Sequence, residues 1–149
     1  MNTHSDLEPG FEAAIRQTMA TRSPYWSLLG IELLKIKKGW AKLHLPFDKK
    51  LTHPYGIAHG GAIFSLADSA VAMALLGVVA PEDKFVTVEM KINYLSTFTD
   101  GALTAEARIV HQGRQTALGD VDVRNEAGNL IAKGTATYMI IKGLQTPDG

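Results

Sequence analysis

The chain has 149 residues, a length that suits one domain with one core. Apolar residues make up 46% and charged residues 20%, so neither a disordered segment nor an integral membrane protein is expected. The 15 basic and 15 acidic side chains cancel and cysteine is absent, which argues against polyanion binding, disulfides, thiolate metal sites and cysteine nucleophiles. Met1–Gly10 lacks the basic start and apolar run of a secretory signal, and the cytoplasm is the expected compartment.

In chain order, Leu7, Phe11, Ile15 and Met19 recur at helical spacing and predict a helix over about residues 7–20, broken before Pro24. Residues 30–46 read as two strands about Lys37-Lys38-Gly39, with Ala41, Leu43 and Leu45 alternating against Lys42 and His44. Residues 47–59 read as a loop. A long apolar helix follows from Gly60 to about Val79, with Pro81 as its stop. Asp68 and the serines within it make it a buried core helix rather than a membrane span.

Beyond Pro81 the period becomes two, placing Val86, Val88, Met90, Ile92 and Tyr94 on one face and Thr87, Glu89, Lys91 and Asn93 on the other. Three more strands, 103–111, 116–124 and 130–141, are joined by connections too short for parallel crossovers, so the sheet is expected to be antiparallel. The result is an α+β domain in which a curved antiparallel sheet wraps around the long helix. Residues 143–149 read as a frayed tail.

Two places in this order suggest chemistry. Gly60 and Gly61 leave unobstructed amides at the positive end of the long helix, where a developing oxyanion could be held; a tight turn is the plainer alternative. Asp68 lies in an apolar run, where a carboxylate needs a partner or a function as general base or nucleophile. Gly61, Ser65, Asp68 and Ala72 fall on one narrow helical stripe suited to close approach by another helix, by the pantetheine arm of coenzyme A, or by the sheet. Gly60 and Asp68 are 68 − 60 = 8 positions apart, or about 12 Å along the axis, too far for one thioester to touch both. If both act, they belong to different subunits of a dimer. His53 and His59 flank the glycine turn without a third metal ligand nearby, and His59 is read as holding the loop. No GxSxG, Walker or GxGxxG motif is present, which leaves hydrolysis by activated water.

The stretch from His53 to Asp68, with His59-Gly60-Gly61 and an acid nine positions after the histidine, resembles the hotdog thioesterases of the phenylacetic-acid-pathway (PaaI-like) type. The resemblance continues through Thr87–Leu95 and the later strands, over about residues 28–141. It implies a hotdog fold, a homodimer pairing again into a homotetramer, and hydrolysis of aryl- or medium-chain acyl-CoA without a cofactor. In that comparison Asp68 activates water or attacks the thioester, and the Gly60 amide polarises the carbonyl across the dimer. His53 stands where relatives often carry Asn, and Thr87 matches a Ser or Thr that positions water or substrate. Gly61, Ser65 and His59 fall at the substrate, while Arg114, with Lys84 and Lys133, is a candidate for the coenzyme A phosphates. A non-catalytic acyl-CoA-binding domain and an enoyl-thioester hydratase or dehydratase are the alternatives.

Overall fold

A computed structural model describes residues 4–143, so residues 144–149 of the expected tail lie outside the described part. Helix α1 spans Phe11–Arg22 and α2 spans Pro24–Leu29. The first helix does break before Pro24, at Ser23, but Pro24 is not followed by a loop. It starts a second helix, in whose first turn a missing N–H costs nothing. The sheet comprises β1 (Glu32–Lys37), β2 (Trp40–Pro46), β3 (Lys84–Tyr94), β4 (Ala102–Gln112), β5 (Thr116–Asn125) and β6 (Leu130–Ile141). The loop before the long helix contains a short 3₁₀ turn at Lys49–Leu51 and a bridge from Thr52 to Ala58.

Helix α3, Gly60–Leu76, is built largely of Ala, Leu, Met and other apolar residues, and it ends earlier than the sequence pattern suggests, at Gly77. Leu66, Ala70, Val71 and Leu75 are fully buried against the inner face of the sheet, which offers Leu43, Leu45, Leu103, Ala105, Val121 and Val123. Burying each leucine stabilises the fold by about 1.5–3 kcal/mol relative to leaving it exposed. The opposite face of α3, carrying Gly61, Ser65, Asp68 and Ala72, is only partly covered.

All pairings are antiparallel and the strand order is β1-β2-β4-β5-β6-β3. This is the hotdog fold, with the sheet around one long helix. Strand β3 does not pair with its sequence neighbour β4. It crosses to the far edge beside β6.

Strand β3 also corrects the expected alternation. Thr87 pairs with Tyr138 and Glu89 with Thr137, so Val88 is an extra residue in a β-bulge. The bulge shifts the inward set from odd to even numbers: Phe85 packs on the core before it, and Met90 and Ile92 after it. Val86 and Val88 consequently face outward, 48% and 58% exposed, and Thr87 turns toward α3.

Candidate active site

At its N-terminus α3 is capped by His59. Its Nδ1 accepts from the Gly61 N–H at 2.8 Å, while the Ala62 N–H donates to the His59 carbonyl at 3.0 Å. Nδ1 thus carries the lone pair. A Cβ on Gly61 would come within 2.9 Å of that nitrogen, so the cap geometry itself demands glycine. The Gly60 N–H, in contrast, makes no hydrogen bond among the described residues.

Tyr94, from the end of β3, donates to the Gly60 carbonyl at 2.9 Å, and its ring would stand 3.1 Å from a Cβ at Gly60. Burial pushes the Tyr94 phenol above its ordinary pKa, which keeps the donor proton in place. His53 closes its own loop: its Nδ1 accepts from the Tyr55 N–H at 3.1 Å and its ring meets Tyr55 edge-on at 5.3 Å. His53, Gly60 and Tyr94 line a cavity of about 280 Å³.

Two turns further along α3, Asp68 faces a second cavity of about 280 Å³ with Thr87 and Tyr138. Its carboxylate is clamped on one side. Thr87 donates to Oδ1 at 3.0 Å and the Tyr138 hydroxyl donates to the same oxygen, while also lying 2.8 Å from the Asp68 carbonyl. Oδ2 has only a 3.4 Å contact with Thr87 and stays available to another donor. Tyr138 is 2% exposed; burial first, then the Asp68 charge, raises its phenol well above the usual range, so it remains a donor.

Two cavities thus stand apart in one chain, one with an unpaired amide and His53, the other with a braced carboxylate and Thr87. Ser65 belongs to neither. It donates to the Gly61 carbonyl at 2.8 Å and lies 2.6 Å from the Tyr25 hydroxyl, while Trp26 Nε1 donates to Ser69 at 3.0 Å. Part of the close approach foreseen along the small-residue stripe is therefore made by α2 of the same chain. Arg114 is exposed in the β4–β5 turn, at the sheet end where Ile140 bonds Gln115 and Lys84 pairs with Ile141. Lys133 is at the other end of the strand, ion-paired to Asp122 at 2.6 Å. Among the described residues no three His or carboxylate groups gather as a metal site, and no helix is long and apolar enough to cross a membrane.

Tyr138 was not among the residues the sequence singled out. Its only signal was a polar tip on an aromatic in an otherwise apolar alternation, which becomes meaningful only when β6 is placed beside the helix.

An antiparallel sheet of this order around one long central helix places the chain in the class of hotdog-fold proteins. The model of the Thioesterase superfamily matches residues 55–132, and the chain belongs to that family of thioester hydrolases. An inferred esterase of Saccharolobus solfataricus is 34% identical over 139 residues, covering 93% of this chain and 92% of its own. The acyl-coenzyme A thioesterase PaaI of Escherichia coli is 32% identical over 107 residues, 70% of this chain and 73% of PaaI. Among solved structures, a hypothetical thioesterase of Streptococcus pneumoniae with coenzyme A has a TM-score of 0.70 and 30% identity, covering 77% of this chain and 88% of its own.

Proposed function

We propose that this chain hydrolyses aryl- or medium-chain acyl-CoA, with Asp68 as general base and the Gly60 amide as oxyanion donor. The observation that carries the reading is the bracing of Asp68. Thr87 and Tyr138 hold Oδ1 and leave Oδ2 with only the 3.4 Å contact to Thr87, on a residue that lines the cavity. Oδ2 takes a proton from water as the water oxygen attacks the thioester carbonyl; the C–S bond then breaks, and the thiolate of coenzyme A receives that proton. The likeness to PaaI and to the coenzyme A-bound thioesterase supports the choice of acyl carrier. The exposed Arg114 and the half-buried Lys84, at the same end of the sheet, are the candidate cations for its phosphates.

Gly60 and Asp68 line different cavities, so the catalytic unit is a homodimer. Strand β3 is an edge strand with exposed Val86 and Val88, and an antiparallel pairing of two such edges across a two-fold axis is the natural cover. An axis near the middle of β3 sets the Thr87 end of one strand against the Tyr94 end of the other. Asp68 then meets the partner subunit's Gly60. Any further pairing into a homotetramer leaves this site as it is.

Complementation tests the reading. Gly60→Pro deletes the free N–H at a helix position where proline is well accepted, and the extended backbone of His59 suits a following proline. Asp68→Asn and Gly60→Pro are each expected to be inactive in thiol release from an acyl-CoA panel. Co-assembled one to one, they should regain about a quarter of wild-type activity, because half the dimers are mixed and each holds one intact site. Full activity of Asp68→Asn would remove Asp68 from the mechanism. Inactive mixed dimers, shown to form, would confine the site to one chain.

A further inference from the structure

We propose that Met19 and Trp26, from the two N-terminal helices, close the far end of the acyl pocket and set the length of an apolar, unsubstituted acyl chain. This rests on the hydrolase reading of Asp68 and deepens it.

The cavity at Asp68 is apolar away from the carboxylate, where Met19, Trp26, Met73 and Phe85 bound it. Thr87 and Tyr138 spend their protons on Asp68, while Ser69 accepts from Trp26 and keeps its own O–H. Against Met19, Met73 and Phe85 a hydroxyl or carboxylate on the acyl group would leave water without a polar partner, which favours plain hydrocarbon. Next to this cavity lies another of about 300 Å³, lined by Ala20, Ile31 and Leu33 with the exposed Arg16 and Glu32 at its rim, and sharing Met19 and Trp26 with the first. In the proposal these two shared side chains are the partition between the two chambers.

They differ in how firmly they stand. Trp26 is 6% exposed and tied by its indole N–H to Ser69, whereas Met19 makes no hydrogen bond and is unbranched and adaptable. Met19 is therefore the length-determining residue. Wild-type kcat/KM should rise by about fourfold per methylene until the chain reaches Met19, and then fall. A terminal hydroxyl or carboxylate on the best chain should lower it by at least tenfold.

The test is thiol release from straight-chain acyl-CoAs of increasing length. Met19→Ala joins the chambers and should improve kcat/KM about tenfold for chains two methylenes longer than the wild-type optimum. Adding Ala20→Trp, which fills the second chamber, should reverse the gain. Met19→Val serves if the alanine variant fails to fold, with a smaller shift in the same direction. An active variant whose length profile matches wild type overturns the partition, as does wild-type tolerance of terminal hydroxyl or carboxylate. Absence of thiol release by wild type from every chain would defeat the hydrolase reading instead.

Discussion

The two ends of the chemistry on α3 are built in different ways. At its start the proposed functional group is backbone: the unpaired Gly60 amide, next to a Gly61 amide taken by His59 and a Gly60 carbonyl held by Tyr94. Two turns on, it is a side chain, Asp68, held by hydroxyls from β3 and β6. The first end is mostly local in sequence, and the second depends on strands 19 and 70 positions away. A backbone donor is insensitive to side-chain identity except where a Cβ would intrude. A carboxylate is sensitive to every neighbour that orients it.

Removing the groups themselves gives the largest effects and sharpens that contrast. Asp68→Asn should lower kcat by about 10²–10⁴-fold while the protein still binds acyl-CoA, since the general base is lost and the pocket shape kept. Near-wild-type kcat would break the assignment. Gly60→Pro should cost about 10²–10³-fold in kcat through loss of one oxyanion donor. The Tyr94 ring lies 3.1 Å from the new Cβ and must give slightly, so circular dichroism should accompany the assay.

The same division explains what could be read from the sequence. The glycine turn, the capping histidine and the long helix are short-range features, and the spacing of Gly60 and Asp68 already put them too far apart for one thioester to touch both. The pairing of β3 with β6 was not legible, because nothing local distinguishes a strand that joins its neighbour from one that crosses to the far edge. Nor was the bulge at Val88, which leaves composition unchanged yet moves Thr87 from the outer face to the carboxylate. Tyr138 was hidden for the same reason. Its partner is visible only once the sheet has closed around the helix.

Tyr138→Phe tests the bracing without removing the base. The predicted change is a fall in kcat of about tenfold with KM little altered, because a loosened carboxylate samples unproductive orientations. Thr87 should keep part of the alignment. The variant also has a stability signature. Since the folded state raises the Tyr138 pKa, its contribution is fully present below about pH 10 and is lost as pH rises above the unfolded value. Wild type should therefore lose stability on alkaline titration more steeply than Tyr138→Phe, measured by urea unfolding at several pH values. Equal slopes would show that the phenol ionises as freely in the fold as out of it.

The smallest effect is expected at the other end, from His59. Its ring bears on the helix start through one hydrogen bond, Nδ1 to the Gly61 N–H, and it is exposed. His59→Ala should lower stability by about 1 kcal/mol, the usual cost of losing an N-cap. His59→Asn should restore most of that, because a short amide oxygen also caps well. Activity discriminates a cap from a catalyst. If His59 only fixes the turn, kcat should follow stability across the two variants and recover with Asn, whose neutral amide exchanges no protons. A kcat that collapses in both while Asn restores the melting temperature would give the imidazole a chemical role, and the backbone-built end of the site would then no longer rest on backbone alone.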